Sequence, residues 1–230
     1  MLQFRIMARF LKTSDYLSII QTVDLNQITE NNPQNLYDSE VKAISRMRTK
    51  LVQRYMVDIE LGTMDAYSAS THYRTRDRVI AGEVITHVND FNRWDNKTEY
   101  AISDIVTDTN GYVYTAIAAS TNQPLTNTTY WAKMINVPTS NATYWTEGDN
   151  RYPMFVELAM DMTLYNLHAR INPRNIPELR IERNREALDQ LDRWASGTDT
   201  AEVLNINTTD STGYSIRYGN SLDKQDNFFK

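Results

Sequence analysis

Residues 150–197 read NRYPMFVELAMDMTLYNLHARINPRNIPELRIERNREALDQLDRWASG, and their spacing decides the fold. Pro153 suits a first helical position, where its missing N–H would have had no partner. From there the pattern predicts a helix to about residue 171, roughly 28 Å long at about 1.5 Å per residue. Two apolar stripes run along it. One holds Phe155, Leu158, Ala159, Met162, Tyr165 and Ala169; the other, nearly opposite, holds Val156, Met160, Leu164, Leu167 and Ile171. Glu157, Asp161 and His168 share the polar strip between them. A helix apolar on both sides needs cover on both sides. One side can face its own chain; the other requires a second element or a second subunit. Asn172-Pro173 stops this helix and Asn175-Ile176-Pro177 opens another. There Ile181, Asn184, Leu188, Leu191 and Ala195 make a single inward stripe. Asp189 and Arg193 pair at i,i+4 on the charged outer face, and Gly197 stands where a C-terminal cap belongs.

The string LYNLHARINPRNIPELRIERNREALDQLDRWASG resembles the C-terminal half of the tailed-phage head-to-tail adaptor family. That family has an apolar helix ending in a Leu-Tyr-x-Leu-x-x-Arg-like run, a Pro-containing hinge, and a charged helix ending in Trp and a small-residue–Gly stop. Leu164, Tyr165, Leu167, Arg170, Pro173, Pro177, Trp194 and Gly197 fit these places. The resemblance implies a structural virion protein at the portal vertex, made in the host bacterial cytoplasm and not an enzyme. It implies a closed ring of about twelve copies that docks on a portal protein and meets further tail or ring proteins. DNA would pass through the lumen without sequence-specific binding.

Upstream, Thr13-Ser14-Asp15 starts a short helix, and a second is expected around residues 24–30. The first residues, MLQFRIMARF, read as an N-terminal strand or arm. Glu30-Asn31-Asn32-Pro33 is a break. Asp38-Ser39 then opens a long helix to about residue 61, with Val41, Ile44, Leu51, Val52, Tyr55 and Ile59 on one face. Its Val52-Gln53-Arg54-Tyr55 resembles the Arg-Tyr end of the adaptor family's first long helix. Arg48 falls within the apolar face. It either packs its stem with its head in water or makes an inter-subunit ion pair with a carboxylate such as Asp161.

Helical periodicity vanishes over residues 62–149, where β-branched and aromatic residues, Asn and Thr take over. Residues 73–88 read as a hairpin about Ala81-Gly82. Asp108-Thr109-Asn110-Gly111 reads as the turn of another, because Asn-Gly accepts positive φ. A compact module of about residues 94–135 is expected here. Through Trp94, Tyr100, Asp104-Ile105-Val106, Tyr112-Val113-Tyr114 and Trp131 it resembles small chitin-binding-type β modules. Asn127-Thr128-Thr129-Tyr130-Trp131 is echoed by Asn141-Ala142-Thr143-Tyr144-Trp145, two similar turns but too brief to define a repeat architecture.

The fold class is therefore α+β. Residues 1–61 and 150–197 form a helical core, a small antiparallel bundle; residues 62–149 form a β-rich insert; residues 198–230 form an extended docking tail. Tyr214, Ile216, Tyr218, Phe228 and Phe229 are that tail's anchors, and residues 212–219 alternate as an added strand would. A net charge of −5 and a pI near 5.3 argue against general nucleic-acid binding. The absence of cysteine excludes disulfides and thiolate metal sites. No apolar run approaches the ~20 residues of a membrane span.

Three constellations bear on chemistry. Glu157, Asp161 and His168 could hold a divalent cation or act as acid and base, but as the polar seam of a buried helix they fit arginines of a neighbour better. Asp104, Asp108, Glu147 and Asp149 near aromatics allow a glycosidase pair, but nothing fixes their separation and turn chemistry explains Asp108 fully. Trp145 and Tyr144 offer a flat platform for sugar rings; against this, Trp94 and Trp131 are better read as the core of a tiny β module. With 7 glycines and no phosphate loop, a nucleotide fold is disfavoured, and no cofactor or metal is expected. Two functions follow. In the first, an oligomeric connector uses Val156, Met160, Leu164, Leu167, Arg48 and Asp161 between subunits. In the second, a carbohydrate-binding module on a helical stalk recognises host surface glycan.

Overall fold

The structure, a computed structural model, describes residues 9–81, 84–203 and 205. The N-terminal arm up to residue 8, Gly82 of the first hairpin turn, and the anchors Tyr214, Ile216, Tyr218, Phe228 and Phe229 lie outside the described residues. The fold mixes helices with three small sheets, none closed into a barrel.

Four helices precede the β region: α1 (Thr13–Tyr16), α2 (Thr22–Ile28), α3 (Pro33–Leu51) and α4 (Val57–Glu60). The first long helix starts earlier than its apolar pattern suggests. Pro33 takes the N1 position, and the Asn32 side chain accepts from Gln34 N at 3.0 Å, so the 30–33 break is itself the N-cap. It also ends earlier, at Leu51, and the chain turns through residues 52–56 before α4. Its buried face is Leu36, Ser39, Glu40, Ala43, Ile44, Met47 and Leu51, while Val41 and Val52 are exposed.

Strands β1 (Asp65–Ala66), β2 (Arg78–Ala81), β3 (Val84–Val88), β4 (Glu99–Tyr100), β5 (Ile105–Thr107), β6 (Val113–Ala116), β7 (Ser120–Thr121), β8 (Trp131–Lys133) and β9 (Trp145–Glu147) follow. They form sheets in the orders β1-β2-β3-β9, β5-β6-β8 and β4-β7. Helices α5 (Pro153–Ile171) and α6 (Glu178–Ser196) close the described fold with the boundaries their spacing predicts. Gly197 caps α6 at φ +80°, the left-handed value that favours glycine.

The β region consists of two copies of one unit, the second nested within the first. The host comprises residues 65–91 and 136–147, and the guest occupies residues 92–134. A set of their hydrogen bonds corresponds pair by pair. Ser68 N donates to the Tyr73 hydroxyl at 2.7 Å, and Asp95 N to the Tyr100 hydroxyl at 2.7 Å. Asp77 accepts from Arg74 N at 2.8 Å, and Asp104 from Ala101 N at 2.7 Å. The residue before each aspartate, Arg76 or Ser103, has positive φ and donates to the carbonyl of Val88 or Ala116. Val88 pairs with Trp145, and Ala116 with Trp131. Each closing tryptophan ends a Pro-x-x-Asn-x-Thr-Tyr-Trp run, and its indole donates to a carbonyl eight residues back, Val137 or Gln123. Tyr73 meets Trp145 edge-on at 5.0 Å between centroids, and Tyr100 meets Trp131 at 5.2 Å. The short echo in the sequence is the visible end of this duplication.

Three clusters hold the interior. The largest joins α1, α2, α3, α5 and α6; one fills the host unit and one the guest. The guest hairpin also docks on the host. Val113 N donates to Tyr73 O, Thr75 N donates to Gly111 O, and Val113 and Met134 lie in the host cluster.

Candidate interaction surfaces

Helix α5 is the centre of the helical core, packed by α3, α6, α1 and α2. Asn166 Nδ2 donates to Ser39 O at 3.2 Å and Arg170 pairs with Glu30, so α3 runs antiparallel to it. This corrects the expectation for the second apolar stripe. Met160, Leu164 and Leu167 are buried within one chain, and Val156 is half-buried against the same cluster. Of the two covers expected, a second element or a second subunit, the chain's own helices supply the first. Apart from the exposed Ile171 at its end, both stripes close on a single core because α5 is sandwiched, which a wheel of one helix does not reveal.

The inter-subunit ion pair is likewise replaced by contacts within the chain. Arg48 donates to Leu61 O at 2.8 Å and lies 3.6 Å from the Asp58 carboxylate. Asp161 faces α6, 3.6 Å from Arg183 and 4.0 Å from Arg180, and Arg183 also meets Glu157 at 3.6 Å. The polar seam of α5 thus pairs with arginines of its neighbour, as its spacing suggests. Burial pushes the Asp161 carboxyl up from the ordinary range, against the pull of Arg183. Burial and Arg180 push the His168 imidazole down. The inward stripe of α6 is rotated from the expected one: Asn184, Ala187, Leu191 and Trp194 are buried, and Ile181 is exposed.

A buried ionic seam joins the helical core to the host β unit, and sequence reading missed it. Arg78, 4% exposed, donates to Ile59 O at 2.7 Å and Glu60 O at 2.9 Å, with its guanidinium over the Phe10 ring. Burial lowers its pKa to about 10. Arg151 lies over the same ring. It donates to Phe10 O at 2.7 Å, to Asp15 at 2.7 and 3.0 Å, and to Asp149 at 2.7 Å. Burial would raise the Asp149 carboxyl, but hydrogen bonds from Arg151 and Lys12 hold it well below the usual carboxylate range. The one local signal was Asp149-x-Arg151 just before a helix, which does not announce partners far away in the chain.

The aromatic platform is also corrected. Trp145 is 2% exposed and wedged edge-on against Tyr67 and Tyr73. Tyr144 is half-buried and shares a 2.7 Å hydrogen bond with Thr115. Buried in this way, Trp145 presents no free face to a sugar. Of the carboxylates considered for hydrolysis, Asp104 and Asp108 bind backbone amides of their own turns, and Asp149 is held in the seam. Among the described residues no cluster of three or more metal-ligating side chains occurs, and no helix is long and apolar enough to cross a membrane.

Exposed apolar groups remain at the α5–α6 hinge, where Ile171, Leu179 and Ile181 stand out from the surface. A cleft of about 700 Å³ separates the 52–59 corner from the β region; its walls include Val52, Met56, Asp58, Phe91 and Asn205. No protein-family model matches the chain, and no curated protein and no solved structure shows significant similarity to it.

Proposed function

We propose that this chain is a structural, non-enzymatic protein of the tailed-phage head-to-tail connector kind. In this reading it docks on a portal protein at the portal vertex of the virion and closes with copies of itself into a ring of about twelve. It links capsid to tail, meets further tail or ring proteins, and lines a passage for DNA without reading its sequence. One observation supports the reading: two positions behind the adaptor resemblance, Arg54 and Gly197, meet in space. Arg54, at the end of the first long helical region, lies against Gly197, leaving no room for a Cβ there. The Tyr55 hydroxyl accepts from Ala201 N at 3.1 Å. Trp194 is buried against Phe155. These contacts hold the chain after α3 against the end of α6.

Because α5 is covered within one chain, the ring contact falls on outer faces, and the exposed hinge residues Ile171, Leu179 and Ile181 supply apolar area for it. The carbohydrate-binding alternative loses the larger half of its platform, because Trp145 is buried. Mass photometry and negative-stain microscopy with purified portal rings test the connector reading. A ring of this protein seated on the portal is expected. Portal rings that stay bare at a large excess of the protein would sink it.

A further inference from the structure

We propose that the ring contact is head-to-tail and specific: the end of the guest β unit bearing Ile102 and Ile117 in one copy seats in the groove at the α5–α6 hinge of the next. This deepens the connector reading and rests on it for the closed ring. A heterologous contact joins two different patches of one surface, and a rotation that closes makes a ring. The receiving patch is a groove of about 720 Å³ between α2 and the hinge. Ile20, Ile28, Ile171 and Leu179 give it apolar walls, and Ile171 and Leu179 are 44% and 58% exposed. Arg180 also lines it. Its buried Nη1 has no hydrogen-bond partner, and the Asp161 carboxylate stands 4.0 Å away. Residues 168–180 hold three arginines, Arg170, Arg174 and Arg180, against one acid, Glu178. In a chain of net charge −5, this hinge is a local positive pole.

The entering patch has the opposite character. Ile102 is 64% exposed and Ile117 49%. Ser103 N donates to Ala116 O at 2.8 Å, so the two isoleucines stand on adjoining segments. Residues 95–104 hold three acids, Asp95, Glu99 and Asp104, against one cation, Lys97, and all four are exposed. The apolar centres meet while the charged surrounds attract, and opposite charge fixes which patch meets which. Like-charged surrounds disfavour a symmetric dimer through either patch alone. The nested duplication marks the same face. The host counterparts of Ile102 and Ile117 are Thr75 and Asn89. Thr75 is buried, and its N–H donates to Gly111 O of the guest turn. The host thus covers this position and makes it polar, whereas the guest bares it and makes it apolar. A bare apolar position where the twin unit has an interface marks a contact with another molecule.

The test uses the full chain, which has no cysteine of its own. A variant carrying both Ile102→Cys and Leu179→Cys is oxidised with copper phenanthroline, free and mixed with portal rings, and run on a non-reducing denaturing gel. Each copy then holds both halves of the contact, so a ladder of covalent dimers, trimers and longer oligomers is expected. A mixture of the two single variants should stop at dimers. Val84→Cys with Leu179→Cys, Val84 being 40% exposed, is the control and should give several-fold less. Glu99→Lys or Arg174→Glu, each with an unchanged far-UV spectrum, should cut the ladder several-fold. A ladder no stronger than the control in both mixtures, links within one molecule only, or a yield insensitive to both charge reversals would each overturn the proposal. Portal rings that bind the protein without the ladder would end this pairing and leave the connector reading standing. A ladder with portal rings left bare would do the reverse.

Discussion

Single residues in the two β units do equivalent work, and the equivalence has measurable consequences. The Tyr73 and Tyr100 hydroxyls each accept a backbone amide five residues back. Tyr73→Phe and Tyr100→Phe should each lower stability by about 0.5–1.5 kcal/mol in urea denaturation. Tyr73 should cost the more, because its hydroxyl also donates to Ser68 O at 3.1 Å. Asp161 behaves in the opposite way. Its folded-state pKa lies above the unfolded value, so the stability it contributes is complete below the unfolded pKa and lost as pH rises through the folded one. Asp161→Asn, neutral at every pH, should therefore melt no lower than the parent at pH 7. Its advantage should shrink as pH falls toward 4 in a series of melting curves. A loss of several degrees at pH 7 would show that Arg180 and Arg183 depend on the charge.

Between elements, the ionic seam ties the helices to the host β unit. Arg151→Met leaves Asp15 without its guanidinium and Asp149 with Lys12 alone, and breaking such a buried pair costs on the order of 3 kcal/mol. Asp149 has a depressed pKa, so its contribution is present above the ordinary carboxylate value near ~3.9 and is lost as pH falls through the folded one. The gap between parent and variant, read by denaturant titration, should thus be constant from pH 5 to 8 and narrow below pH 4. Beyond Asp149-x-Arg151, none of this seam was legible in the sequence, because Phe10, Asp15, Arg78 and Arg151 lie far apart along the chain. By contrast, the α5–α6 hairpin was readable to its boundaries, since Pro153, Pro173, Pro177 and Gly197 act on the backbone locally. What covers a helix is a property of its neighbours. Hence the stripe of Met160, Leu164 and Leu167 was found correctly but assigned to another subunit. The nested units were legible only as the Tyr-Trp echo, because most equivalent positions share a hydrogen bond or a burial state rather than a residue: Val88 stands for Ala116, Tyr67 for Trp94, and Arg76 for Ser103.

At the scale of the molecule, the two β units depend on each other unequally. The guest cluster is built from guest residues alone, whereas the host cluster includes Val113 and Met134 of the guest. Trp145→Ala should therefore speed amide exchange in β2, β3 and β9 while leaving β5 and β6 protected. Trp131→Ala should speed exchange in both units. Each truncation removes a buried indole, a change worth about 3–5 kcal/mol, and exchange followed by mass spectrometry separates them. Equal loosening of both units by Trp145→Ala would contradict this asymmetry.

Nesting also fixes a timetable for synthesis. The host hairpin leaves the ribosome first but lacks the strand that completes its sheet, because residues 92–134 must be made before Trp145 is. The guest has all of its own parts as soon as Lys133 emerges. The inner copy can therefore mature on the nascent chain while the outer one waits with an open edge, a state prone to pairing with other chains. Since α3 and α5 flank the whole region, the helical core assembles last, around a β region that is already closed.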